Sequence, residues 1–86
     1  MSGPYENQWQ ARQAPAVREI FDAFDADPGI GKMAPGNLAM LEQACAAAGV
    51  VLGVYDRQVI AWLAGWDPET CAVIAGLITR AAGGPR

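Results

Sequence analysis

Residues 67–82, DPETCAVIAGLITRAA, decide the reading of the fold. Asp67 is a good N-cap, because its carboxylate can accept from an orphan N–H of the first helical turn. Pro68 suits the first helical position, where its missing N–H has no partner anyway. Glu69 is favourable beside the positive helix end, and Arg80 beside the negative one. Cys71, Ile74, Leu77, Ile78 and Ala81 then recur at helical spacing. The pattern predicts a helix over 68–82 with that stripe buried. Gly76 interrupts it at a cost of about 0.5–1 kcal/mol against alanine. With Ala72 and Ala75 it forms a flat small-residue patch that another helix can approach, within the fold or across a dimer interface.

Upstream, Gly65-Trp66-Asp67 is a short turn, and the segment before it reads as a helix over 56–65. Asp56 is its expected N-cap, and Tyr55 and Ile60 sit where a hydrophobic staple places them. Val59, Ile60, Trp62 and Leu63 form its expected buried stripe. A helix over 37–48 begins at Asn37, read as its N-cap, with Leu38, Leu41, Ala44, Cys45 and Ala48 facing inward. Gly49 is suited to the left-handed stop that ends it. Val50, Val51 and Leu52 have no partner strand and read as an apolar linker pressed on the core. A helix over 15–26 starts at Pro15 and places Val17, Ile20, Phe21 and Phe24 at i, i+3, i+4 and i+7. Residues 27–36, DPGIGKMAPG, are loop.

These helices make an all-α chain, a compact four-helix bundle with a C-terminal helical hairpin. Residues 14–83 form its single domain. Residues 1–13 are a flexible or partly helical lead, and residues 84–86 a tail. At 86 residues the core is thin. Three Trp, two Phe and two Tyr are the side chains expected to supply most of the burial. Cys45 and Cys71 read as buried thiols that behave as small hydrophobes.

The segment VVLGVYDRQVIAWLAGWDPETCAVIAGLITRAA, from Val50 to Ala82, resembles a run found in small helical proteins of actinobacteria, chiefly the streptomycete group. The likeness lies in Leu52-Gly53 with Tyr55-Asp56-Arg57, in WLAGW (62–66 with Ala61 before it), and in Pro68, Thr70, Val73, Ile78, Arg80 and Ala81. It covers the C-terminal half only. It implies a helical hairpin and carries over no activity and no catalytic or binding residues.

Composition narrows the chemistry. There is no histidine, so imidazole activation of a nucleophile and His-ligated metal are excluded. Asp22 and Asp25 lie three apart on a polar helix face, which is a solvated arrangement and no general-acid cleft. Asp25 and Asp27 start like a calcium loop, but Ile30 stands where glycine is required and Gly36 where a bidentate glutamate belongs. Gly31-Lys32 is followed by Met33, where a phosphate loop needs Ser or Thr. We therefore expect no catalysis, no cofactor and no metal. Net charge is −3 and the six basic residues are dispersed, which argues against nucleic acid and against a membrane surface. No apolar run reaches the ~18 residues of a span, and MSGPYENQWQ lacks a signal-peptide pattern, so the expected setting is the cytoplasm.

What remains is surface shape. Trp66, at the corner between two helices, and Trp9, alone in the polar lead, are candidates for partner contact, as is the Ala72, Ala75 and Gly76 patch. Trp62 reads as core. The expected function is a non-catalytic protein–protein interaction module, an adaptor whose partner is another protein or a second copy of itself. A helix-turn-helix regulator is the alternative, with Glu69, Thr70 and Ala72 as the residues that would face DNA. A structural subunit of a larger assembly is the third.

Overall fold

The computed structural model describes residues 3–83. It is all-α, with no strand among the described residues. Five helices follow one another: α1 (Gln8–Arg12), α2 (Pro15–Ala26), α3 (Ala34–Ala47), α4 (Val54–Leu63) and α5 (Pro68–Ala82). The bounds of α2 and α5 are the expected ones. The lead contributes a helix of its own, α1, whose N-cap Asn7 accepts from the Gln10 N–H at 2.9 Å. The tail expected at 84–86 lies outside the described residues.

α5 is the central helix. α3 makes its largest interface, and α1 and α2 lie along it as well. Helix axes can close to 8–10 Å only where side chains are small. That is why Ala72, Ala75 and Gly76 are buried in α5, while Leu77 of the expected stripe is 54% exposed. Ala75 joins Leu41, Ala44, Ala64 and Cys71 in the main core cluster. Ala72 packs with Ala14 and Val17 under α2. The small-residue patch is therefore packed mostly against the chain's own helices, and its edge lines an open groove of about 360 Å³ beside Ala14, Met40 and Ala47.

No aromatic residue is fully buried. The largest side chains in the interior are Leu41, Val17, Asn37, Pro68 and Cys71. Phe21 and Phe24 are half-buried, and the Arg12 guanidinium lies 4.2 Å over the Phe21 ring. The expectation that aromatics carry the core fails because the molecule is thin, 16 Å across its shortest dimension. Where α5 meets its neighbours through Ala72, Ala75 and Gly76, the helices stand too close to enclose an indole between them.

Two glycines have a geometric reason. Gly49 takes φ +76 and closes α3 with a Schellman pair, the Val50 N–H to the Cys45 carbonyl and the Gly49 N–H to the Ala46 carbonyl. At Gly36 a Cβ would lie 2.8 Å from Ile20 Cγ1, so its absence lets α2 rest on α3. The linker after Gly49 departs from expectation. Val51 is exposed and Val50 largely so, and only Leu52 turns inward.

Both cysteines are buried and unpaired. Burial, with the nearby Asp67 charge, pushes the Cys71 thiol up to about 11, so it stays protonated at neutral pH.

Candidate protein-interaction site

The site is built on Asn37. The sequence reading made it an N-cap, but it lies inside α3, because the helix begins three residues earlier with Pro35 in its first turn. Asn37 is fully buried and its Nδ2 donates to two carbonyls, Ala64 at 2.9 Å and Trp66 at 2.7 Å. Those carbonyls belong to the last turn of α4 and to the corner after it, where a helix leaves acceptors without partners. One side chain thus ties α3 to the corner. The corner is also tied locally. The Gly65 N–H reaches the Trp62 carbonyl and the Trp66 N–H the Leu63 carbonyl, at 3.1 and 3.0 Å.

The next helix fixes the corner's far side. Asp67 accepts from the Thr70 N–H and from the Thr70 hydroxyl, each at 2.9 Å. Partial burial pushes the Asp67 carboxyl up, and the two Thr70 hydrogen bonds outweigh it, so the group titrates below its ordinary 3.8. A depressed folded-state pKa means stability present above 3.8 and lost as pH falls through the lower folded value. Asp67→Ala is expected to cost about 1 kcal/mol near neutral pH. The gap from wild type should close as both are acidified below pH 3.8, read from urea unfolding at stepped pH. A gap that stays constant to acid would contradict the capping role.

Onto this rigid corner the sequence hangs two indoles. Trp66 is 54% and Trp62 66% exposed. Their rings meet edge to face, with centroids 5.9 Å apart and planes at 76°. The stripe continues along α4 through Val59 to Tyr55, which is 75% exposed. Positions 55, 59 and 62 fall at i, i+4 and i+7, one helical face, and none of them is charged. α4 has only α3 as an extensive neighbour. Ile60 and Leu63 meet the core, and the remainder of the apolar surface stays outside. Trp62 and Val59, expected in the core, are therefore on the surface.

Beyond Trp66 the surface dips into an open groove of about 570 Å³, lined by Phe24, Ile30, Met33, Asn37 and Asp67. Ile30 projects fully into solvent. Arg57 and Glu42 form an exposed pair at 3.3 Å, and Lys32 and Asp27 another at 2.8 Å. Such a pair contributes little.

Of the residues singled out from sequence, Trp66 is in this site. Trp9 is exposed but stands on α1, which packs on α5 and α2. Ala72, Ala75 and Gly76 are in the interior. Trp62, Val59 and Tyr55 were missed as surface residues. The available signal was the width of α4's apolar face, more than one neighbouring helix can cover. No group of three or more His, Cys, Asp or Glu among the described residues is placed to hold a metal. No helix there is long and apolar enough to cross a membrane. No protein-family model, curated protein or solved structure matches the chain.

Proposed function

We propose that this chain is a non-catalytic interaction module that docks a protein partner on the outer face of α4 and the Trp66 corner. The observation that carries the reading is the contiguous stripe Tyr55, Val59, Trp62 and Trp66, exposed and uncharged on a corner held by Asn37. Binding energy at interfaces concentrates in Trp and Tyr on preorganised supports. Scattered single hydrophobes on a surface need no explanation, but a patch of this size does. Two unpaired buried thiols suit a reducing compartment, so the reading sets the protein in the cytoplasm.

The helix-turn-helix alternative loses support at α5. Glu69 and Ala72 are buried, Gln8 donates to Glu69 at 3.3 Å, and Thr70 is spent on the cap. A recognition helix needs those early positions free for bases.

The test is a photo-reactive residue placed at 62, or at the exposed position 19 on α2, in cells that make the protein. Protein adducts are expected from position 62 and not from position 19. Adducts from neither, or equally from both, would defeat the reading.

A further inference from the structure

We infer that the pocket between the N-terminal segment and the start of α5 is a site for an alkylguanidinium cation, the group that ends an arginine side chain. The pocket is open and holds about 370 Å³. Its wall includes Tyr5, Glu6, Ala11, Asp67, Glu69 and Val73, and no residue of α4 lines it. It therefore stands whatever covers the α4 face.

Glu69 singles this pocket out. The side chain is 5% exposed, and its Oε1 has no hydrogen-bond partner among the described residues. Buried carboxylates are as a rule paired, because an unpaired charge is costly to remove from water. Oε2 accepts from the Gln8 amide at 3.3 Å, a long bond from a neutral donor. The dipole of α5 offsets part of the charge, yet no backbone N–H reaches Oε1. The described basic side chains are placed elsewhere. Arg12 lies over Phe21, Lys32 pairs with Asp27, and Arg57 pairs with Glu42. Arg80 donates to the Gly76 carbonyl, and Arg18 lines a separate dip with Asp22 and Asp25. Glu6 and Asp67 add two further carboxylates to the wall, and no basic residue lines it. A chain of net −3 also draws cations toward it.

The lining selects the kind of cation. A divalent metal needs several oxygens converging on one point, and no group of three or more acids among the described residues is placed to provide that. A guanidinium carries its charge on a planar fork of five N–H donors, which matches acceptors spread over a wall better than a point charge does. It also gives up its hydration more readily than an ammonium. Ala11 and Val73 offer apolar surface for the alkyl stem, and Tyr5 brings an aromatic ring of the kind on which a guanidinium stacks. Gln8 is exposed, so its side chain can swing off the carboxylate as a charged, stronger donor replaces it.

The experiment is a titration of the full chain at neutral pH and low salt, followed by backbone amide shifts in NMR spectra. The probes are ethylguanidinium chloride and N-acetylarginine amide, with ethylammonium chloride and calcium chloride as comparisons. Both guanidinium probes are expected to give saturable shifts at Gln8, Glu69 and Val73. Ethylammonium should bind several-fold more weakly, and calcium should give no such shifts. Tighter binding of the arginine amide marks a protein side chain as the source, and tighter binding of ethylguanidinium a small free compound. Glu69→Gln keeps the shape, loses the charge and should weaken binding about tenfold or more. Val73→Arg is the second variant. Position 73 is i+4 to Glu69 on α5 and partly exposed, the spacing and order at which an acid and a base pair along a helix. Its new guanidinium should occupy the site and abolish the shifts, with circular dichroism unchanged. No saturable shift from either guanidinium probe overturns the inference. So does calcium or ethylammonium binding as tightly, or a folded Glu69→Gln or Val73→Arg chain that binds the probes like wild type.

Discussion

Asn37→Ala is expected to lower unfolding free energy by about 2–4 kcal/mol in urea titrations, one of the largest effects any single substitution can have here. The wild-type amide, itself fully buried, donates twice, to the Ala64 carbonyl in the interior and to the partly buried Trp66 carbonyl. Removing it strands both acceptors and leaves a void. Asn37→Asp keeps the shape and reverses the polarity, setting carboxylate oxygens against two carbonyl oxygens. It should cost more than alanine at neutral pH. Part of the loss should return on acidification, because a protonated carboxyl can donate again. A variant as stable as wild type would show that the corner is held by its local turn bonds alone. The consequence reaches function, since Asn37 ties the Trp66 corner to α3.

Leu41→Ala is expected to cost about 3–5 kcal/mol, read from the same unfolding curves. Leu41 is 1% exposed and is the largest side chain in the interior, touching the cluster formed with Ala44, Ala64, Cys71 and Ala75. The other buried members of that cluster are small side chains that cannot reach into the space it leaves. Against a total stability of about 5–15 kcal/mol for ordinary domains, that loss is a large share of the whole. Leu77 is the control, because it is the same residue type at 54% exposure. Leu77→Ala should stay within about 1 kcal/mol of wild type. Equal losses at both positions would mean that the interior is elsewhere.

How legible this was from sequence depends on the residue. Helix ends written in backbone chemistry were readable: Pro15, the Asp67-Pro68 pair and the positive-φ Gly49 each stand where their local signal put them. Asn37 and Asp56 were misread for one shared reason. Both can cap, but each helix starts three residues before the residue, or close to it: α3 after Met33 and α4 after Gly53. Asp56 still serves the terminus, from inside the helix, by accepting from the Gly53 N–H at 2.9 Å. Asn37 serves a different helix altogether, a tertiary role that no local pattern encodes.

Burial was legible at Val17 and Leu41, where α2 and α3 each turn an apolar stripe toward α5. It failed at the two extremes of contact. α5 is surrounded, so its small residues go inside and Leu77 outside. α4 is nearly unaccompanied, so its broad apolar face exceeds what α3 can cover. Periodicity states which residues share a face and says nothing of how many neighbours will arrive. The candidate site arises at the second of these failures. Trp66 was visible as an oddly placed corner residue, whereas Trp62 beside it looked like core.

The most direct test is hydroxyl-radical footprinting of the three tryptophans, in dilute purified protein and inside cells that produce it. Trp62 and Trp66 should oxidise readily in the dilute sample and be protected in the cell, while exposed Trp9 on α1 oxidises in both. Equal oxidation of Trp62 and Trp66 in the two samples would mean that nothing covers the α4 face, and the account of this chain as a docking module would be wrong.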